Sequence, residues 1–418
     1  MVPNGWSVAQ FGDLADFKSG GTPSKQNASY WGGEEPWISG KDLKSHYLYR
    51  SIDQLTTEGF HIAKKAPLGA SLILVRGMTL LKDFPVGYAT REVAFNQDIK
   101  ALLAKANVDG LFLSFLLVGN KHKIKNLVTT AGHGTGRLDT DSLKEFPVDL
   151  PPLSEQRKIA KILSTWDKAI ATTEKLIETS KQQKKALMQQ LLTGKKRLVN
   201  PETGKAFEGE WEEVKLGELG QTFTGLSGKT KEDFGSGAKY IPYINIFNNS
   251  SVNTAKLEKV QVGGGEKQNT VQFGDVFFTT SSETPDEVGM SSVLLSEPEE
   301  PVYLNSFCFG FRPKDTTTLV PEFMQYLLRS SRVRRSISVL AQGATRYNLS
   351  KVQLLKINLL LPTSVEQKRI ASVLTAADKE IEVLEAKLVH FKQEKKALMQ
   401  QLLTGKRRVK VDEEMEAA

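Results

Sequence analysis

The sequence predicts an α+β protein: two mixed α/β domains separated by two long antiparallel coiled-coil helices, with pseudo-two-fold symmetry. Three observations predict this. The stretch KKALMQQLLTGK occurs at 184–195 and again at 395–406. Around both copies, apolar or neutral residues recur at alternating steps of four and three. The two regions outside these stretches carry short strand-like runs, turns and one strong helix pattern each, in matching order.

The repeat extends outward at a fixed offset of 211 residues. Glu155-Gln156-Arg157-Lys158-Ile159-Ala160 aligns with Glu366-Gln367-Lys368-Arg369-Ile370-Ala371, and Leu150-Pro151 aligns with Leu361-Pro362. The seam runs Ile159, Leu163, Trp166, Ile170, Thr173, Ile177, Ser180, Lys184, Leu187, Leu191. In the second copy it runs Ile370, Leu374, Ala377, Ile381, Leu384, Leu388, Phe391, Lys395, Leu398, Leu402. A 3.5-residue average held over several heptads marks a coiled-coil seam. Glu155 and Glu366 fall in the first turn, where a carboxylate complements the helix dipole. Gly194 and Gly405 follow the last apolar pair as stops. Each rod would be roughly 55–60 Å long at 1.5 Å per residue. Trp166 reads as a seam residue, its repeat counterpart Ala377 suggesting a large–small packing pair.

A chain of 418 residues has room for two domains of ordinary size beside the rods. No run approaches eighteen apolar residues, so no membrane span is expected. MVPNGWSVAQFGD lacks the basic-then-apolar order of a secretory signal. The single cysteine, Cys308 in SFCFGF, rules out a disulfide framework and reads as a small buried residue. A cytoplasmic location is expected. The net charge is +8, and its distribution is uneven. Residues 154–198 carry +7, residues 364–410 carry +5 and the tail VDEEMEAA carries −4, which leaves the two mixed domains neutral. The basic excess lies on the rods. Solvated coiled-coil faces explain most of it, and the clusters at the helix ends remain candidates for phosphate contact.

In chain order, residues 1–150 form the first mixed domain, 151–198 the first helical region, 199–361 the second mixed domain and 362–410 the second helical region. Residues 411–418 are an acidic tail expected to be disordered. The first domain opens with a turn-rich loop, SGGTPSKQNASYWGGEEPWISGKDL. Strand-like SLILVRG and EVAFNQDIKALL follow, then a helix pattern at LFLSFLLVGNKHKIKNL, a glycine-rich loop AGHGTGRLDT and the strand FPVDLPP. The second domain answers loosely: Trp211 to Trp6, PYIN (242–245) to PWIS (36–39), Asn305 to Asn96, and QGATRYNLS to GTGRLDTDS. The scaffold is shared and the loops differ, which suggests one task applied to two targets. The linker VNPETGKAFEGE is short, so the second domain is expected near the far end of the first rod. The second rod then runs back along the first to bury both seams, a dumbbell whose C-terminus returns near its N-terminus.

Catalytic patterns are scarce. SGKT at 227–230 would need a glycine where Phe223 stands to be a phosphate loop. GHGTG at 132–136 lacks the dinucleotide spacing. The five histidines are scattered and thiol ligands are missing. Paired acids such as Glu34-Glu35 and Asp139/Asp141 lie in turn-like sequence.

The motifs LPPLSEQRKIAKIL and LPTSVEQKRIASVL, the KKALMQQLLTGK ends and the opening SGGTPSK…YWGG…PWISGKDL resemble the specificity subunit of type I restriction–modification systems. The resemblance covers the whole chain, as two target recognition domains alternating with two helical spacers. It implies a non-catalytic subunit that reads a bipartite double-stranded DNA site, one half per domain, with the rods fixing the spacer. It also implies two methyltransferase subunits and, for cleavage, two restriction and motor subunits as partners. S-adenosylmethionine and ATP/Mg would then serve those partners, with no cofactor bound by this chain.

Base edges are read by donors and acceptors on loops. The candidates in the first domain are Ser19, Thr22, Ser24 and Lys25 of the opening loop, Lys41, Arg76, and His133 and Arg137 of the glycine-rich loop. Those in the second are Ser227, Lys229, Lys231, Asn245, Arg346, Tyr347 and Asn348. The same Ser, Thr and Gly residues also make turns, and Arg137 and Arg346 would equally brace the strand leading to each rod. Gln156, Arg157, Lys161, Gln367, Lys368 and Lys379, read as outward rod residues, are candidates for docking the methyltransferases. Two other readings compete: a coiled-coil scaffold that never touches DNA, which would need no second, differently lettered reader, and a nucleotide hydrolase or nuclease, which lacks its motifs.

Overall fold

The computed structural model describes residues 2–130, 134–343 and 345–411. The chain divides into two compact units, residues 1–174 with 386–418, and residues 175–385. The division falls inside both long helices because each mixed domain packs on half of each helix.

In unit one a five-stranded sheet has the order Ala15–Ser19, Ile99–Ala104, Ser71–Leu74, Val86–Ala89, Tyr47–Leu48. Beside it a four-stranded sheet has the order Gln54–Leu55, Trp31–Ile38, Val93–Phe95, Lys65–Ala66. The strand-like run EVAFNQDIKALL therefore serves both sheets and turns between them at Asn96–Asp98. The helix pattern breaks into Gly110–Gly119 and Lys121–Lys125. Asn120, at φ −96° and ψ 3°, donates its side-chain amide back to Leu116 O (2.9 Å), a local bond that competes with helix continuation. Gly110–Gly119 buries Phe112, Leu113, Phe115, Leu116 and Leu117. They share one core with Ile159, Ala160 and Leu163 from the start of the first long helix and with Leu402 and Leu403 from the end of the second.

Unit two repeats this plan. Gly220–Thr224, Cys308–Pro313, Val276–Thr279 and Ser291–Val293 form one sheet in that order, and Glu258–Val260, Phe234–Ile241 and Val302–Leu304 form another. Cys308 is buried, as its strand context predicts. Pro321–Leu327 and Ser331–Val339 replace the broken helix of unit one. The core takes in Leu191 and Leu192 from the end of the first long helix and Ile370, Ala371 and Leu374 from the start of the second.

The long helices are Leu153–Leu191 and Ser364–Leu402, each of 39 residues. Gly194 and Gly405 follow them at φ +69° and +65°, a left-handed conformation that costs glycine no Cβ clash. Each helix is fed by a strand paired with the start of its domain: Pro147–Leu150 with Ser7–Gln10, and Asn358–Leu361 with Glu212–Lys215.

Within each unit the two helices run antiparallel. In unit one Asp167 pairs with Lys395, and Glu174 with Lys392 (2.7 Å). In unit two Asp378 pairs with Lys184, and Glu385 with Lys181 (2.6 Å). Each pair recurs in the other unit 211 residues away. Lys184 and Lys395 occupy seam positions, and a single polar partnership there specifies register at some cost in apolar packing. Trp166 meets Phe391 edge-on at 5.5 Å. Their repeat counterparts are Ala377 and Ser180, so unit two has two small side chains at this level.

Candidate nucleic-acid interface

In each unit the loops converge on one turn. In unit one the turn is Phe95–Asp98. Gly21 N–H donates to Phe95 O (2.9 Å), Asn96 N–H to Ile38 O (3.0 Å), and Val75 N–H to Asp98 O (2.8 Å). The opening loop, the loop holding Lys41 and the segment holding Arg76 are thereby tied to the same sheet end. Asn96 Oδ1 stabilises the turn by accepting Asp98 N–H (3.2 Å). The turn in unit two is Leu304–Cys308. Leu226 N–H donates to Leu304 O (2.8 Å), Asn305 N–H to Ile241 O (3.1 Å) and Thr280 N–H to Phe307 O (3.0 Å). Asn305 Oδ1 accepts Phe307 N–H (2.8 Å). The correspondence of Asn96 with Asn305 thus holds down to the hydrogen bond.

The glycine-rich loop of unit one ends in a small antiparallel ribbon, Val128–Thr130, Gly136–Leu138 and Arg76–Gly77. Its register places Arg137 directly opposite Arg76. Both side chains are exposed, and among the described residues neither guanidinium forms an ion pair. Asp139, two residues on, is tied to Ser142 N–H and Oγ (2.8 and 2.9 Å). Like charges facing across a ribbon are unfavourable by themselves, so the pair suits an anionic or acceptor-rich surface. Gly136 is required here, since an added Cβ would sit 2.8 Å from Leu80 Cβ.

The equivalent ribbon in unit two pairs Ser281–Ser282 with Tyr347–Asn348. Backbone bonds fix the correspondence: Leu138 N–H donates to Val75 O, and Leu349 N–H donates to Thr280 O. Arg137 and Arg76 therefore answer to Asn348 and Ser281. Arg346 and Asn348 are exposed, Tyr347 is half-buried and Ser281 is buried.

The other candidates are distributed unevenly. Ser19 Oγ accepts from Lys100 Nζ (2.6 Å) on the adjacent strand, and Thr22 Oγ1 donates to Gln97 Oε1, so the first hydroxyl is committed to the sheet and the second braces the turn. Ser24 and Lys25 lie on a loop pinned by two tryptophans, Trp31 Nε1 to Ser24 O and Trp37 Nε1 to Gly21 O (both 3.1 Å). Lys25 Nζ stands 6.0 Å over the Trp37 ring, and Lys41 is 4.0 Å from Asp53. Ser227 is exposed and its backbone is bound by Gln268. Lys231 is exposed. Lys229 is held by Glu266 at 2.6 Å. His133 lies outside the described residues.

Two assignments are corrected. Asn245 is 3 % exposed, its amide donating to Asn253 O and Lys256 O and its Oδ1 accepting Asn253 N–H. It holds a loop and presents nothing to a ligand. The cause is an alignment shifted by three: Ile241, not Ile244, matches Ile38, and Pro242 opens a helix, Tyr243–Asn248, where unit one makes a turn. Gln156 and Gln367 are likewise not outward residues, each being 1 % exposed. Gln156 Oε1 accepts Asp109 N–H (2.9 Å) and its Nε2 donates to Asn107 O and Pro151 O. Gln367 does the same with Val320 N–H, Thr318 O and Pro362 O. Each glutamine fastens the start of a domain helix to its rod. Arg157, Lys161, Lys368 and Lys379 are exposed as expected.

The basic clusters at the helix ends are also partly committed. Arg197 forks onto Glu366 (2.7 and 2.8 Å) and Arg408 onto Glu155 (2.8 Å twice). Both carboxylates are buried. Arg408 also donates to Asn4 O (2.6 Å), bringing the end of the second helical region to the start of the chain.

Sequence reasoning missed Phe307 and Met78. Phe307 is 63 % exposed at the tip of the unit-two turn. Its period-two spacing with Phe309 and Phe311 predicts burial, but the Asn305 turn lifts it out before the strand begins at Cys308. Met78, 61 % exposed, follows Arg76-Gly77.

Among the described residues no group of His, Cys, Asp or Glu has the arrangement of a metal site, and no helix is long and apolar enough to cross a membrane.

Paired loop clusters on a repeated scaffold define a protein with two equivalent exposed loop surfaces, and comparison with known proteins gives its family. The model of the family described as type I restriction modification DNA specificity domain matches residues 3–182 and 208–390, and the chain belongs to that family. It is 27 % identical over 415 residues to the type I restriction enzyme MjaVIII specificity subunit of Methanocaldococcus jannaschii, covering 98 % of this chain and 94 % of that one. Its fold is similar to the type I restriction–modification S subunit of M. genitalium (TM-score 0.58, 16 % identity, 96 % of both chains). It is also similar to the HsdS subunit of Thermoanaerobacter tengcongensis (TM-score 0.51, 18 % identity, 97 % of this chain and 98 % of that one). The chain is a specificity subunit, the non-catalytic DNA-recognition member of a type I restriction–modification complex.

Proposed function

We propose that each unit reads one half of a bipartite DNA site with the loops and ribbon around its central turn, while the long helices set the unread spacer. The observation that carries this is the pairing of 211-offset rod contacts, the same in both units, with ribbons that differ at Arg76/Arg137 and Ser281/Asn348. A two-stranded β-ribbon fits the major groove. Arginine pairs bidentately with guanine and asparagine with adenine, so the two ribbons favour different letters. Lys41, Lys231 and Arg346 suit phosphate contacts that set register.

The subunit then serves as platform for two methyltransferase subunits and, for cleavage, two restriction and motor subunits. Those partners use S-adenosylmethionine and ATP/Mg. Mapping methylated adenines in the host genome tests the reading. Exchange of residues 1–150 for another recognition domain should alter one half of the methylated motif and leave the other. Adding four residues to each long helix lengthens it by about 6 Å, close to two base-pair steps, and should lengthen the spacer with both halves unchanged. Changes in both halves after the exchange would contradict independent readers.

A further inference from the structure

The central turns of the two units share one backbone and differ at the tip. Val75 N–H donates to Asp98 O in unit one, and Thr280 N–H donates to Phe307 O in unit two. Asp98 N–H and Phe307 N–H each bond the side-chain oxygen of the asparagine two residues earlier (3.2 and 2.8 Å). Asp98 and Phe307 are therefore equivalent positions. The first is half-buried, the second 63 % exposed. The turn requires neither side chain, since both residues make the same bonds through the backbone.

The fold makes no use of the Phe307 ring. Among the described residues it belongs to no hydrophobic cluster and stacks on no other ring. A single exposed apolar side chain is ordinary on a protein surface, but this one stands beside the ribbon. Thr280, bonded to the Phe307 carbonyl, accepts Leu349 N–H through its own carbonyl. The next residue, Ser281, is paired with Asn348 across the ribbon. Segment 348–349, segment 280–281 and Phe307 thus lie side by side. At about 5 Å per hydrogen-bonded step, Phe307 is about 10 Å from the strand that carries Asn348, or about three base-pair steps. Ser306 beside it and Asn348 on the ribbon are also exposed.

We propose that Phe307 is a specificity-determining residue of unit two, its ring packing on the C5 methyl group of a thymine within about three base pairs of the base met by Asn348. The inference rests on the reading of the unit-two ribbon as a DNA reader, and names a letter that this reader takes by apolar contact. The thymine methyl is displayed in the major groove, and phenylalanine is among the side chains that select it. Cytosine carries a hydrogen where thymine carries the methyl, and would leave the ring in water. The exposed amide of Asn348 suits adenine, so both contacts favour a half-site that contains A·T pairs. Wedging between base steps, the other use of such a ring, belongs to minor-groove binders, whereas a two-stranded ribbon suits the major groove. Asp98 offers no apolar contact at the same place in unit one, so this discrimination is confined to one half-site.

The test uses the full chain in complex with the methyltransferase subunits of its host. The half-site of unit two is the half of the methylated motif left unchanged when residues 1–150 are exchanged. Each thymine in it is replaced in turn by deoxyuridine, which exchanges the C5 methyl for hydrogen and changes nothing else. The wild-type complex should lose about three- to tenfold in affinity at one of these thymines. Phe307→Ala should lose the same factor on unmodified duplex and be indifferent to deoxyuridine at that position, while Phe307→Leu should keep most of the affinity and the sensitivity. Both variants should keep the wild-type melting temperature, because the ring packs on nothing. A Phe307→Ala complex with wild-type affinity, or one still weakened by deoxyuridine at that position, would overturn the proposal. So would a half-site without an A·T pair. Equal weakening of Phe307→Ala on every duplex, with no wild-type response to deoxyuridine, would overturn it in favour of a wedge between base steps. Asn348→Ala separates the proposal from the reading beneath it. A changed base preference in that half leaves the ribbon reading intact whatever Phe307 does, and an unchanged half-motif would sink that reading and the proposal with it.

Discussion

The two units share one set of joints and differ in what those joints carry. Glu155 with Arg408 matches Glu366 with Arg197, Gln156 matches Gln367, and Asp167 with Lys395 matches Asp378 with Lys184. Each aspartate also accepts a tyrosine hydroxyl, yet Tyr47 comes from a short strand and Tyr326 from a domain helix. Trp6 Nε1 donates to Glu155 (3.0 Å), while the buried Nε1 of Trp211 has no partner among the described residues. At the ribbons the resemblance ends, with facing arginines in one unit and Ser281 and Asn348 in the other. The helix contacts are the same in both units, and on the proposed reading the ribbons are the part that must change for a new sequence to be read.

The largest expected effect separates the two ion pairs. The Arg197 side chain is 23 % exposed and its carboxylate partner 1 %. Arg197→Ala would leave Glu366 buried and unpaired, at about 3 kcal/mol or more. Arg408 is 44 % exposed, and Glu155 retains the Trp6 indole, so Arg408→Ala should cost distinctly less. Thermal and denaturant unfolding of the two variants checks this, and equal losses would break the distinction.

Between pH 7 and pH 5, above the carboxylate range, acid sensitivity should be greater in unit one. His46, stacked on Phe115 and bonded to Ser114 Oγ (3.1 Å), has its pKa lowered from 6.5 to about 4, chiefly by burial and then by Lys395. Between those values the unfolded chain binds a proton that the folded unit excludes. Stability is therefore full above about pH 6.5 and falls as the pH drops toward 4, by about 3 kcal/mol at most. Unit two contains no histidine. Hydrogen exchange at pH 7 and pH 5 should show unit one loosening first, and His46→Leu should reduce that difference.

Gln156→Ala and Gln367→Ala should cost nearly the same, about 2 kcal/mol each, because each leaves a backbone N–H, half-buried at Asp109 and buried at Val320, and two carbonyls without their amide. Unequal losses by chemical denaturation would show that the two joints are not equivalent. The smallest effect concerns reading: Arg137→Asn with Arg76→Ser should change the preferred base by about 1 kcal/mol or somewhat more without lowering the melting temperature. It should show in one half of the methylated motif, and an unchanged motif would remove the ribbon from the reader.

The rods were legible because a coiled-coil seam is a local, periodic pattern, and the stop glycines and antiparallel course follow from it. The family was legible in the same segments. The Glu-Gln of the repeated motif was visible too, but its meaning was not: Gln156 looks like an outward helix residue until the 107–109 loop is folded onto it. Asn245 misled for a related reason, since PYIN resembles PWIS in letters while the strand ends three residues earlier in register. Phe307 follows the alternation of a buried strand and is lifted out by a turn formed with Asn305.

The sequence by itself determined the α+β class, the duplication, the helices, their ends and their charge. Those depend on periodicity and composition within one segment. Only the tertiary structure decided that Arg76 faces Arg137, and that Arg197 and Arg408 serve buried glutamates rather than phosphates. Each of these joins residues far apart in the chain, and strand register and packing, not local pattern, bring them together.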